Sequence, residues 1–221
     1  MHIYEVNGKK VPSVTTIIHS IGDDNIIKWA NYLGFRHINY EKELDKYATN
    51  GTLIHDLLRE EVDPNYKSDV KFKDSLHRME CLGYITRFRN YMQGYTYETI
   101  FTEKTFISES HGYGGTIDWY AKFIDKFNLI LDFKTSKEVR FSHLLQLGGY
   151  STLLKENNLE VNGAAIILCN KNRTTMYPIN TTSLAWYADA FESLAIYYNK
   201  VWQESMKPDT ELLNSLKSTK S

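Results

Sequence analysis

The spacing of apolar positions divides the chain near residue 95. Before that point apolar residues recur at helical intervals: Ile26, Ile27, Ala30 and Leu33, then Leu44 and Tyr47, then Leu53, Ile54, Leu57 and Leu58. This is the period of helices that turn one face to a core. Gly34 and Asn50-Gly51 interrupt the pattern and predict two or three helices within 23–62, the last over about 52–61. A polar loop at 63–68 and a further helix over about 71–92, ending near Gly94, follow. At the start, Ile3, Tyr4 and Val6 lead into Asn7-Gly8, a pair that readily supplies the positive φ of a tight hairpin turn. After Pro12, Ser13 is placed to cap a short helix.

Beyond residue 95 the texture becomes β-like. Segments 95–107, 113–124 and 127–135 are rich in Thr, Tyr, Phe and Ile and predict three strands. Helical spacing returns over 142–156 with Leu144, Leu147, Leu153 and Leu154, and 163–170 is a continuous apolar run suited to a strand buried on both faces. Segment 174–179 reads as its hairpin partner, 182–206 as a long amphipathic helix and 207–221 as a fraying polar tail. The order predicts an α/β fold: a mixed central sheet flanked by helices. It forms one domain, with a mainly helical part at 1–94, a sheet-and-helix core at 95–206 and a flexible tail.

Composition narrows the classes without naming a function. The chain has 221 residues, 26 Lys+Arg against 27 Asp+Glu, and 42% hydrophobic residues, the profile of a globular protein whose core needs no metal or disulfide to hold it. A net charge of −1 gives no global attraction to nucleic acid, so any phosphate contact must come from a local patch. Cys81 and Cys169 are isolated from each other and from any CxxC pattern, which excludes a four-thiolate iron–sulfur cluster and predicts reduced, buried thiols. No apolar run approaches the length of about eighteen residues that spans a bilayer. The first residues, Met1 to Val6, lack the shape of a secretory or transit segment. The expectation is an intracellular protein, cytoplasmic in a bacterium or a phage-infected cell, with no membrane partner.

Candidate chemistry concentrates between residues 115 and 150. Asp132 and Lys134 lie two apart in a predicted strand and so share a face, while Phe133 points the opposite way into the core. If the strand bearing Asp118 is the neighbour, which the short connection at 125–127 favours, two carboxylates and an ammonium converge. Such a set suits Mg²⁺ or Mn²⁺. An Asp and a Lys two apart are more often a solvated strand face, but here they follow Leu129-Ile130-Leu131, and Gln146 and Tyr150 fall one helical turn apart on the next helix. Gly112, Gly114 and Gly115 leave the backbone before Asp118 open to the approach of a ligand.

In order and spacing, Gly115-x-x-Asp118, Asp132-x-Lys134 and Gln146-x-x-x-Tyr150 resemble the PD-(D/E)XK nuclease superfamily, in particular its RecB-like exonuclease branch. Pro12-Ser13-Val14-Thr15-Thr16 and Gly51-Thr52-Leu53-Ile54-His55 resemble two further motifs of that branch, so the likeness spans residues 12 to 150. It implies a restriction-endonuclease-like fold with a helical N-terminal part over the active site. Asp118, Asp132 and the Phe133 carbonyl would hold a Mg²⁺ or Mn²⁺, with His55 beside it and Lys134 acting on the attacking water. Gln146 and Tyr150 would position substrate or Lys134, and Glu103 matches an acidic position on the preceding strand. Ile117 stands where the superfamily's Pro would precede the first Asp, a departure common in this branch. The cluster-forming cysteines of some relatives are missing, which implies a cluster-free, stand-alone enzyme.

Phosphate contacts are expected from Lys137, Arg140, His143, Lys171 and Arg173, and stacking platforms from aromatics such as Tyr32, Phe35 and Tyr40. The function these readings imply is a divalent-metal-dependent DNA exonuclease of recombination, repair or replication, acting on single strands or ends. DNA is the expected partner, in the company of a recombinase or a single-strand-binding protein. A structure-specific endonuclease, a non-cleaving DNA-end-binding protein and a plain α/β domain with a chance motif are the alternatives, and the oligomeric state is open.

Overall fold

The computed structural model describes residues 4–22 and 24–202, with 210–211 and 214–215. A hairpin of β1 (Tyr4–Val6) and β2 (Lys9–Val11) turns at Asn7 and Gly8, whose φ values of 50° and 74° are the left-handed conformation that Asn-Gly favours. The helix α1 (Val14–His19) is capped by Ser13, whose hydroxyl accepts from the Thr16 N–H at 3.0 Å. Next come α2 (Asp24–Phe35), α3 (Tyr40–Val62) and α4 (Ser75–Met92).

Two helix boundaries differ from the sequence reading. The helix α3 runs unbroken through Asn50-Gly51, because Ile54, Leu58 and Val62 of its second half are buried against the sheet. That burial outweighs the cost of about 1 kcal/mol for a glycine inside a helix. The helix α4 begins at Ser75 rather than near 71, where the Asp74 carboxylate accepts from the His77 N–H at 2.8 Å and fixes the first turn.

The second half builds a five-stranded mixed sheet in the order β3 (Tyr97–Ser108), β4 (Tyr113–Phe123), β5 (Phe127–Lys134), β6 (Gly163–Cys169), β7 (Thr174–Asn180). The strands β3, β4 and β5 form an antiparallel meander, and β5 and β6 are parallel across the helix α5 (Phe141–Glu156). The pair β6–β7 is an antiparallel hairpin, and α6 (Thr181–Tyr197) ends in a π-helical turn, Tyr198–Trp202. Residues 203–206 of the expected last helix, and the expected tail apart from 210–211 and 214–215, lie outside the described residues.

Two apolar cores sandwich the sheet. On one face α1, α5 and α6 pack on Ile117, Tyr120, Ile130, Ala164 and Ile166; on the other α3 and α4 pack on Trp119, Leu131, Phe133, Ala165 and Ile167. This is a mixed α/β sheet flanked by helices, compatible with a restriction-endonuclease-like fold. Both cysteines are free and buried. Among the described residues no helix is long and apolar enough to cross a membrane.

Candidate active site

The connection between β4 and β5 is a tight turn in which Ile124 and Asp125 both take positive φ, 51° and 53°, and the Lys126 N–H donates to the Phe123 carbonyl. The strands are therefore neighbours, with Trp119 opposite Leu131. Beyond that pair, at the far end from the turn, Asp118 and Asp132 come together. The Phe133 N–H donates to Asp118 Oδ2 at 3.0 Å, and His55 of α3 sets its Nδ1 3.5 Å from the same oxygen. Lys134 places Nζ 2.5 Å from Asp132 Oδ2. Asp132 Oδ1 has no hydrogen-bond partner among the described residues. Asp132 is fully buried. Phe133 points into the α3/α4 core, stacked on Trp119 with ring centroids 5.9 Å apart.

The β-structure is distorted at this level. Side chains along β4 should alternate between the two cores, yet Ile117 packs in the α5 core and Trp119, two residues on, in the α3 core. On the neighbouring strand Glu103, between the paired Thr102 and Lys104, takes φ 46°, a left-handed conformation that a non-glycine residue adopts at a cost. Distortions of this kind re-aim side chains and gather at functional sites. Asp118 sits at the break.

Electrostatics single out the same place. Burial, with Lys134 opposing it, raises the pKa of both Asp118 and Asp132, and Asp132 is raised further by Asp118. Burial first and Lys134 second press His55 down to about 4, so its imidazole is neutral at pH 7. Glu103 as a residue is solvent-exposed, but the protein around its carboxyl, and then the Asp118 charge, push it up to about 7. The centre is short of positive charge. Hard oxygen donors, one of them buried and unpartnered, fit a divalent cation of the Mg²⁺ class. Among the described residues no three His, Cys, Asp or Glu side chains form a ready-made cage. A cation here would take two carboxylates and complete its shell with main chain, water or substrate phosphate, as Mg²⁺ commonly does.

On α5, Gln146 Nε2 donates to the Tyr150 hydroxyl at 2.8 Å, and both are buried. Burial first, and then the carboxylates of Asp132 and Asp118, hold the Tyr150 phenol well above its ordinary pKa. The glycines before Asp118 serve packing rather than ligand approach. A Cβ at Gly114 would lie 2.3 Å from the Tyr4 ring, and one at Gly115 would lie 2.8 Å from Tyr150 Cε1 and 2.9 Å from Leu153 Cδ1. Their missing side chains admit protein atoms.

Two cavities flank the centre. One, of about 570 Å³, is lined by Lys134 and Gln146 together with Arg140 and His143. His143 Nδ1 accepts from the Arg140 N–H at 3.1 Å, so this histidine also caps α5. The other, of about 600 Å³, opens at Thr135 between α3, α4 and the β6–β7 turn and carries Lys137, Lys171 and Arg173. The five basic residues expected to meet phosphates thus border two cavities that adjoin β5 on either side of Lys134.

Tyr32 and Phe35, on α2, line neither cavity, and Tyr40 packs edge-on against Trp29 with centroids 5.4 Å apart. Tyr47, Asn50 and Tyr84, which the sequence reading did not select, line the second cavity. Their common signal was helical spacing: 47, 50–51 and 54 on α3 face 77, 80–81 and 84 on α4. Arg59 was missed as well. Its Nε donates to the Thr102 hydroxyl at 2.9 Å, and that hydroxyl donates to Asp63 at 2.6 Å, tying α3 to the strand beside Glu103.

No protein-family model matches the chain, and no curated protein sequence matches it. Among solved structures, a protein named SSO0001 is similar with a TM-score of 0.40 and 15% identity, over 87% of this chain and 79% of that one. A Eubacterium rectale protein named "Putative exonuclease" is similar with a TM-score of 0.36 and 13% identity, over 89% of this chain and 70% of that one. Similarity at this level carries no functional argument, so any functional reading rests on the site.

Proposed function

We propose that the protein is a divalent-metal-dependent nuclease that hydrolyses phosphodiester bonds in DNA, most simply as an exonuclease at single-stranded ends. The observation that carries this reading is the buried, under-compensated carboxylate pair Asp118 and Asp132, with Lys134 beside it and basic cavities on both sides. Its spacing resembles that of RecB-like nucleases. Asp118, Asp132 and the Phe133 carbonyl would hold Mg²⁺ or Mn²⁺, with neutral His55 and Glu103 at the margin. When bound, that cation supplies charge for the phosphoryl oxygens and acidifies a water.

The remaining work belongs to side chains. The Lys134 ammonium, with a side chain 18% exposed, orients the attacking water and offsets charge as it builds on the phosphorus. The water adds in line, the P–O3′ bond breaks, and the products are a 5′-phosphate and a 3′-hydroxyl. The Gln146–Tyr150 pair stays neutral and braces the face of the sheet that Asp132 and Lys134 share. Arg140, His143, Lys137, Lys171 and Arg173 hold the flanking phosphates. A role in DNA recombination, repair or replication in the cytoplasm, beside a recombinase or a single-strand-binding protein, accords with this chemistry.

Digestion of 5′- and 3′-labelled oligonucleotides, single-stranded and duplex, with Mg²⁺, Mn²⁺ or EDTA tests the reading. Metal-dependent shortening that is lost in Lys134→Ala supports it and gives the polarity. Cleavage at the wild-type rate by both Asp118→Ala and Lys134→Ala contradicts the site. Retention of DNA without any cutting favours a non-cleaving end-binding protein, and internal cuts at junctions favour a structure-specific endonuclease.

A further inference from the structure

The cavity between α3, α4 and the β6–β7 turn is more than a basic groove. Its basic side chains lie on the β5 and hairpin side, where Lys137, Lys171 and Arg173 stand exposed, and its single acidic lining residue, Glu80, lies on α4. The opposite walls are aromatic and amide. Tyr47 is 62% exposed and is met edge-on by Trp29, with centroids 5.7 Å apart. Tyr84 stands across from it on α4 and is half-buried. Asn50 sits one turn beyond Tyr47, and its Oδ1 is buried with no hydrogen-bond partner among the described residues. A buried acceptor without a partner costs free energy, which a turn of the Asn50 amide toward a donor on a ligand recovers. The volume, about 600 Å³, lies within the range of about 300–1,000 Å³ typical of small-molecule sites. It has room for a splayed nucleotide and none for a duplex.

We propose that this cavity is a nucleobase subsite: it receives an unpaired base of the strand being cut, stacked against Tyr47 and donating to the Asn50 amide oxygen once that amide turns toward the cavity, while its phosphates face Lys137, Lys171 and Arg173. The proposal rests on the nuclease reading of the adjoining centre and adds a substrate class, single-stranded ends read through the base as well as the backbone. The continuity of α3 through Gly51 makes it possible, because only an unbroken helix puts Tyr47, Asn50 and Ile54 on one wall. A Cβ at Gly51 would come within 3.5 Å of Thr135 Oγ1 at the mouth.

The test is a binding cycle on the full chain in EDTA, which separates it from catalysis. Fluorescein-labelled thymidine decamers are compared with decamers abasic at the 5′ end, at the 3′ end and at the adjoining nucleotide, for wild type, Tyr47→Ala and Asn50→Ala. Base stacking of about 1–3 kcal/mol corresponds to a loss of roughly fivefold to 140-fold in affinity. The expected result is a loss of about tenfold for one abasic position in wild type, a similar loss for Tyr47→Ala with the intact decamer, and little further loss when both changes combine. Wild-type affinity that is indifferent to every abasic position, or losses that simply multiply, overturns the subsite. Cleavage assayed in parallel keeps the two readings apart. Metal-dependent cutting with base-indifferent binding rejects the subsite and leaves the nuclease. Base-dependent binding without cutting keeps the subsite and rejects the nuclease.

Discussion

The two ends of the β4–β5 pair are made from opposite chemistry. At the turn end Tyr97, Trp119 and Phe123 lie ring against ring, and the Trp119 Nε1–H is satisfied by the Thr99 hydroxyl at 3.0 Å. Apolar surface is removed from water and the buried donor has its partner, which is how a sheet gains stability. Next to the Trp119–Leu131 pair on the same strands, Asp118 and Asp132 bury charge that one lysine does not balance, and a carboxylate oxygen lacks a partner. An arrangement so costly without a cation persists because the aromatic end and the two helical layers hold it in place. The difference separates where the fold draws its stability from where it spends some of it.

Stability measurements on single variants should reproduce that division. The largest effect is expected at the turn end, where Phe123→Ala should cost about 3–5 kcal/mol in denaturant unfolding of the metal-free protein; a loss below 1 kcal/mol would mean that the aromatic cluster is not the anchor. Gly115→Ala should cost about 1–3 kcal/mol by pressing on Tyr150 and Leu153, and Tyr150→Phe in the same background should not relieve it, because the clash is with the ring carbon. Asp132→Asn should act in the opposite direction and stabilise the metal-free protein by about 1 kcal/mol at pH 7.5, since it removes a buried charge whose pKa the fold raises.

The smallest effect is a slope with pH. Glu103, raised from 4.5 to about 7, binds its proton more tightly in the folded state. Its contribution is present below about 4.5 and is lost as pH rises through 7. His55, lowered from 6.5 to about 4, works in the other sense, contributing above 6.5 and losing it as pH falls toward 4. Comparison with Glu103→Gln isolates the first of these. The melting temperature of the metal-free wild type should fall relative to that variant between pH 5.5 and 7.5, and parallel curves would mean that the fold does not raise the Glu103 pKa.

Local chemistry was legible where it decides the outcome. Asn7-Gly8 specifies a hairpin, Ser13 a cap, and the short link before Phe127 an antiparallel neighbour, from which the meeting of Asp118 with Asp132 and Lys134 follows by strand geometry. The apolar run 163–170 declared a strand covered on both faces, and β6 is buried along its whole length. What failed was local evidence that tertiary packing overrode. Asn50-Gly51 reads as a break, yet burial of Ile54 and Leu58 carries the helix through it. Gly114 and Gly115 read as room for a ligand, yet Tyr4 and Tyr150 occupy that room. The left-handed turn of Glu103 and the cavity shared by Tyr47, Asn50 and Tyr84 depend on contacts between elements far apart in sequence, and no window of residues encodes them.

The Asp118–Asp132 end of the sheet should behave as a divalent-cation centre. Thermal unfolding at pH 7.5 across a Mn²⁺ titration, wild type beside Asp132→Asn, tests it most directly. In the wild type the melting temperature should climb with Mn²⁺, with about 2.7 kcal/mol of added stability at a hundredfold excess over Kd, and the variant should show a flat response. Equal responses in the two proteins would contradict it.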